Sequence, residues 1–261
     1  MIDHVAINAE TERFIDAVTA VDPTTPVPTC PDWTAADLLW HLTEVHAFWA
    51  GILAGGALTD EQSEAVEAAK PTRPGAQEEV VALLRRETAT LADQLSSRAD
   101  EEPAWSWFAT DQTVGFTRRM QVHEAVMHRV DAELTAGRPV TPISVEVAID
   151  SIRHVVEVMF SWWGTLPGFV FTPVGGLVAL EPSDAAPLLV QPGRWTGVGE
   201  SGTFYDQPGA VIVDHGEPVG RFSGSAEDLA RWLWGRGSEP SSDGDAAALD
   251  VVRELQAQGA Q

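Results

Sequence analysis

Glu124 and His128 stand four residues apart in "RRMQVHEAVMHRVDAEL" (118–134), a stretch that reads as a helix. Each residue of an α-helix turns the chain by about 100°, so residues four apart differ by only about 40° and share a face. One helix therefore presents a carboxylate and an imidazole side by side. His41 lies in a second helical run, "CPDWTAADLLWHLTEVHAFW" (30–49), among Leu38, Leu39 and Leu42. If the three side chains are to surround one point, the two helices must pack together, which commits this part of the chain to a helical bundle. His41 and His46 differ by about 140°, as do His123 and His128, so only one of each pair can face the shared point. His41 is chosen for its apolar run. The same angle disqualifies "HEAVMH" as a zinc-protease HExxH, in which the histidines are four apart.

Two histidines and a carboxylate suit a divalent metal with a position left open for water or substrate, the pattern of a catalytic rather than a structural zinc site. A second reading of the same residues makes His41 and His128 buried, hydrogen-bonded histidines and pairs Glu124 with Arg119 or Arg129. Cys30 is the only cysteine, which excludes a cysteine-rich metal site and any intrachain disulfide, and fits a reducing compartment. It is expected to be a packed residue, since no motif places a base beside it. With 39 acidic against 16 basic residues, the formal charge of −23 opposes phosphate backbones and anionic membranes. No nucleic-acid or membrane partner is expected. The N-terminal stretch has neither a basic region nor a long apolar core, and no stretch has the length and apolarity of a membrane span, so a cytoplasmic location is expected.

Along the chain, residues 4–21 read as a first helix, "DPTTPVPTCPD" as a proline-rich interruption, and 32–56 as a second helix capped by Asp32 or Thr34 and ended by Gly55 and Gly56. An Ala- and Glu-rich connection leads to a third helix at 75–98. An aromatic loop, 103–115, delivers the chain to a fourth at 116–136, and Gly137 and Pro139 mark a boundary. Residues 143–163 read as one more helix. "FVFTP", "LVALEP", "LLVQP" and "AVIVDHG" then read as the strands of a small sheet, and "SAEDLARWLWGRG" as a closing helix capped by Ser225. The expected division is 1–141 for the bundle, 142–237 for an α/β domain and 238–261 for a linker and tail whose last part, 246–257, forms a short helix. Most of the ten tryptophans are expected in the core.

"VPTCPDWTAADLLWHLTEVHAFW", "HEAVMHRVDAELTAG" and "FSGSAEDLARWLWGRG" (222–237) resemble, in the same order, the mycothiol-dependent maleylpyruvate isomerase family. The resemblance implies an α+β fold: an N-terminal DinB-like four-helix bundle that carries a divalent metal, usually zinc, followed by a small α/β sterol-carrier-like domain. By motif match the metal ligands fall on His41, Glu124 and His128. Arg236, after the closing helix, matches an arginine that the C-terminal domain contributes to the family's active site, with Arg118 and Arg119 next in line as partners for an anionic small-molecule substrate. The implied chemistry uses mycothiol as thiol cofactor. The thiol adds to the cis double bond of maleylpyruvate, the new single bond rotates, and the thiol leaves to give fumarylpyruvate. Transfer of mycothiol to an electrophile differs only in that the thiol stays. The competing class is a non-catalytic small-molecule or lipid-binding protein with a vestigial metal site.

Overall fold

The computed structural model describes residues 5–259, so residue 4 of the expected first helix and residues 260–261 of the tail lie outside the described part. The chain is an α+β protein that divides into two compact units, Met1–Thr141 and Pro142–Gln261.

In the first unit α1 (Val5–Val18), α2 (Ala35–Gly55), α4 (Gln77–Ser97) and α5 (Val114–Thr135) pack as a four-helix bundle. Phe14, Val18, Leu38, Leu42 and Leu84 fill its core, each fully buried, with Cys30 packed among them. The start of α2 is fixed by a reciprocal cap in which the Thr34 hydroxyl accepts from the Asp37 amide and the Asp37 carboxylate accepts from the Thr34 amide. The Thr34 hydroxyl, then Arg73, hold the Asp37 carboxyl down to about 2. Gly56 ends α2 at φ 61°, the left-handed cap that glycine adopts without a Cβ penalty.

Two elements differ from the sequence expectation. The Ala- and Glu-rich connection holds α3 (Asp60–Ala68), a short polar helix capped by Thr59. The proline-rich interruption is a hairpin, β1 (Pro26–Val27) and β2 (Cys30–Thr34), paired antiparallel with Val27 opposite Cys30. β1 packs on α5, which brings Thr29 to that helix.

In the second unit β3 (Val170–Pro173), β5 (Leu188–Val198), β4 (Leu177–Pro182), β7 (Pro218–Gly224) and β8 (Ser241–Gly244) lie in that order, and β6 (Phe204–Val213) pairs with β5. β4 and β7 are parallel; the other pairs are antiparallel. The stretch 143–163 is not one helix. α6 (Val145–His154) passes into a π-helical turn, Val155–Met159, and then a 3-10 turn, Trp162–Thr165. The break lies against the sheet: the Phe160 carbonyl accepts from the Trp195 indole at 3.2 Å, and the Ser161 hydroxyl lies 2.8 Å from the Val156 carbonyl and 2.9 Å from the Ala210 carbonyl.

The closing helix, α7 (Ala226–Leu233), starts at Ser225 with a reciprocal cap from Asp228. The described part of the segment expected as linker and tail, 238–259, is instead part of this unit. It supplies β8 and then α8 (Ala246–Gln258), whose Ala248, Leu249, Val252 and Leu255 are buried against the sheet. Trp49, Trp232 and Trp234 are buried, whereas Trp33, Trp40, Trp105, Trp107, Trp162, Trp163 and Trp195 are half-buried. No described helix is long and apolar enough to cross a membrane.

Candidate metal centre

α2 and α5 run antiparallel. Arg98 donates to the Leu53 carbonyl near the end of α2, while its own carbonyl accepts from Arg118 near the start of α5. His41 in the first half of α2 therefore meets His128 in the second half of α5. One donor atom from each of His41, Glu124 and His128 lies within 4.8 Å of the others. Ligands at about 2.0–2.2 Å from a tetrahedral ion stand roughly 3.3–3.5 Å apart, so the set needs to close by little more than 1 Å.

The two nitrogens of His128 have separate tasks. Nε2 lies 3.2 Å from Glu124 Oε2, and Nδ1 lies 2.9 Å from Asp131 Oδ2. The Thr29 hydroxyl donates to Asp131 Oδ1 at 2.5 Å. Burial opposes the charged ring, but the hydrogen bonds to Asp131 and then Glu124, with the attraction of both carboxylates, outweigh it and push His128 up to about 9. A pocket that holds a proton so firmly between two carboxylates is electrostatically fitted to a cation. The Trp33 ring covers His41 at 4.6 Å between centroids and reaches to 6.4 Å from His128.

His46 and His123 are both fully buried, not on a solvent face as their angular offset from His41 and His128 suggests. His46 Nδ1 lies 2.8 Å from Thr88 Oγ1, and the Thr88 hydroxyl itself donates to the Leu84 carbonyl at 2.7 Å. The imidazole must therefore donate through Nδ1, and burial pushes its pKa down to about 3.

The family described as "Mycothiol maleylpyruvate isomerase N-terminal domain" matches residues 5–133, a span that contains all three ligand-type residues. The match lies within the N-terminal unit. Two solved structures share the fold: mycothiol-dependent maleylpyruvate isomerase (TM-score 0.60) and a histidine-to-alanine mutant of it (TM-score 0.59). Each is 16% identical to this chain, with 94% of this chain and 93% of that chain covered. Among curated proteins none matches the chain.

The arginines singled out in the sequence make other contacts. Arg118 donates to Asp100 at 2.7 Å and to the Arg98 carbonyl at 3.1 Å. Arg129 is buried and donates to Glu10, Glu133 and the Thr141 carbonyl. Arg236 is buried in the turn after α7, where its Nη1 donates to the Trp234 carbonyl at 2.6 Å. Sequence reasoning missed Asp131, Thr29 and Trp33. Asp131 had a signal: it follows His128 by three and Glu124 by seven, on the same helical stripe. Thr29 had none, because its role depends on a hairpin hidden by prolines.

Proposed function

We propose that this protein is a metal-dependent, mycothiol-using enzyme that acts as a maleylpyruvate isomerase-like cis-trans isomerase or as a mycothiol S-transferase. The observation that carries the reading is the convergence of His41, Glu124 and His128 within 4.8 Å in a domain of the isomerase family. These three side chains would hold the ion, with zinc the best match to two imidazoles and one carboxylate. A divalent ion held there supplies Lewis-acid chemistry, lowering the pKa of a thiol and polarising an acceptor.

The chain's own groups do the rest. Asp131 accepts a hydrogen bond from His128 Nδ1–H, which leaves Nε2 to face the ligand set. Glu124 contributes one negative charge, so a divalent ion with these ligands keeps a net positive charge for an anionic substrate. Trp33 limits water on the His41 side. Arg236 is the proposed partner for a substrate carboxylate, and its buried guanidinium is already held in one orientation by the Trp234 carbonyl. A vestigial site is disfavoured because the ligand set is complete and its supporting carboxylate, Asp131, is fully buried and hydrogen-bonded.

The test is turnover of maleylpyruvate by zinc-loaded protein with and without mycothiol, beside a panel of electrophiles. Fumarylpyruvate formed only with mycothiol identifies the isomerase, and thioether products from the panel identify the transferase. Neither product at any thiol concentration, from protein shown to hold zinc, contradicts the proposal.

A further inference from the structure

The hairpin that interrupts the bundle ends in a chain of hydrogen bonds to the metal-ligand histidine. Thr29, half-buried between β1 and β2, donates its hydroxyl to Asp131 Oδ1 at 2.5 Å, and Asp131 Oδ2 lies 2.9 Å from His128 Nδ1. Asp131 has no exposed surface. A buried carboxylate costs free energy unless each oxygen has a partner, and here the two oxygens are divided between a loop hydroxyl and an imidazole. The carboxylate accepts from Nδ1–H, which leaves Nε2 as the only nitrogen of His128 able to donate a lone pair. Nε2 is also the nitrogen that faces Glu124. The same hairpin carries Trp33, whose ring packs on His41, so one element braces both histidines from outside the bundle.

We propose that Thr29 and Asp131 are positioning residues that preset the tautomer and ring orientation of His128, so that the hairpin Pro26–Thr34 tunes how tightly the site holds a divalent cation. This rests on the metal-centre reading above. The series acts through His128 alone: Thr29 restrains Asp131, Asp131 restrains the imidazole, and neither oxygen-bearing residue is a ligand. Removing an outer partner of a metal-bound histidine characteristically lowers metal affinity by about 10–100-fold. Thr29 acts one bond further out and reaches the imidazole only through Asp131, so its loss is expected to weaken binding by less, roughly two- to fivefold.

The experiment is zinc affinity of the full chain, measured by competition with a chromophoric chelator, for wild type, Asp131→Asn, Asp131→Ala and Thr29→Val, with the melting temperature of each metal-free protein recorded in parallel. A 15N spectrum of the zinc-loaded proteins reads the His128 tautomer. The expected order of affinity is wild type, then Thr29→Val, then the two Asp131 variants, with His128 metallated through Nε2 in wild type. If Asp131 merely ties the hairpin to α5, the variants melt earlier but bind zinc with wild-type affinity while folded; that result overturns the proposal. Should Asp131→Ala fail to fold, Asp131→Asn and Thr29→Val decide the matter by the same comparison. Wild-type protein that binds no zinc overturns the metal-centre reading and this inference together, whereas tight zinc in wild type and in every variant overturns this inference alone.

Discussion

The imidazoles of His41 and His128 stand 4.8 Å apart, centroid to centroid, and cross at 75°. Two rings from antiparallel helices that meet edge to face, with Glu124 beside them, hold a region of concentrated lone pairs that only a proton or a cation can relieve. Metal should therefore act on stability as well as chemistry. A ligand that binds only the folded state at 1,000 times its Kd stabilises by about 4 kcal/mol. Calorimetry with and without zinc is expected to show a concentration-dependent rise in melting temperature for wild type and a much smaller one for Glu124→Gln. An equal rise in both would place the zinc elsewhere.

His46 makes the bundle acid-sensitive in a defined window. Its folded pKa, about 3, is depressed from 6.5 mainly by burial; the Glu124 charge opposes this, while His128 and His41 add to it, and Thr88 holds Nδ1. The unfolded chain takes up this proton below about 6.5 while the folded chain does not. Its contribution is thus complete above pH 6.5 and is lost as pH falls toward 3, at up to about 1.4 kcal/mol per pH unit. Urea unfolding at pH 7 and pH 5 should show a fall in wild type that exceeds the fall in His46→Gln by as much as about 2 kcal/mol. Parallel pH profiles would show that His46 is not buried neutral.

Arg129 is the buried charge on which α1 and α5 depend. It is 1% exposed and donates to Glu10 at 2.7 Å, to Glu133 at 2.9 Å and to the Thr141 carbonyl at 2.6 Å, while Glu133 also accepts from the Thr141 amide and hydroxyl. Burial works against the ionised Glu133, but the hydrogen bonds to Thr141 and Arg129 outweigh it and hold its carboxyl below the usual range. Arg129→Met strands two carboxylates and is expected to cost about 3–5 kcal/mol in denaturant unfolding. A loss under 1 kcal/mol would mean water reaches the cluster.

Arg236→Ala separates a substrate role from a packing role. If the guanidinium pairs with a substrate carboxylate, a contact worth roughly 1.5–3 kcal/mol disappears and kcat/KM falls about tenfold to a hundredfold with zinc content unchanged. Arg236→Lys should recover only part, because lysine lacks the planar fork. Loss of thermal stability with unchanged kinetics would leave Arg236 a packing role in the turn after α7.

Much of the bundle could be read from the sequence because its helices are long, periodic and punctuated. Thr34 and Gly56 bound α2, and the Glu124–His128 spacing fixed which face of α5 matters. The short polar α3 carries no apolar stripe, and proline masked the hairpin. In the sheet, "LLVQP" and "AVIVDHG" caught only parts of β5 and β6, since glycines break the β pattern where aromatic rings need space. A Cβ on Gly197 would stand 2.6 Å from the Phe169 ring. β8, "SSDG", is an edge strand without a β-forming side chain, recognisable only by its pairing with β7. The three candidate ligands were legible from spacing and motif; Asp131 was visible on the same stripe but meaningless until Thr29 and His128 were seen on either side of it.

Zinc content per folded chain decides whether His41, Glu124 and His128 bind one divalent metal. After reloading and desalting, wild type, His123→Ala and His46→Gln are expected to hold close to one zinc each, and His128→Ala close to none. Zinc retained by His128→Ala, or lost from the His46 or His123 variant while His41→Ala keeps it, would contradict the assignment.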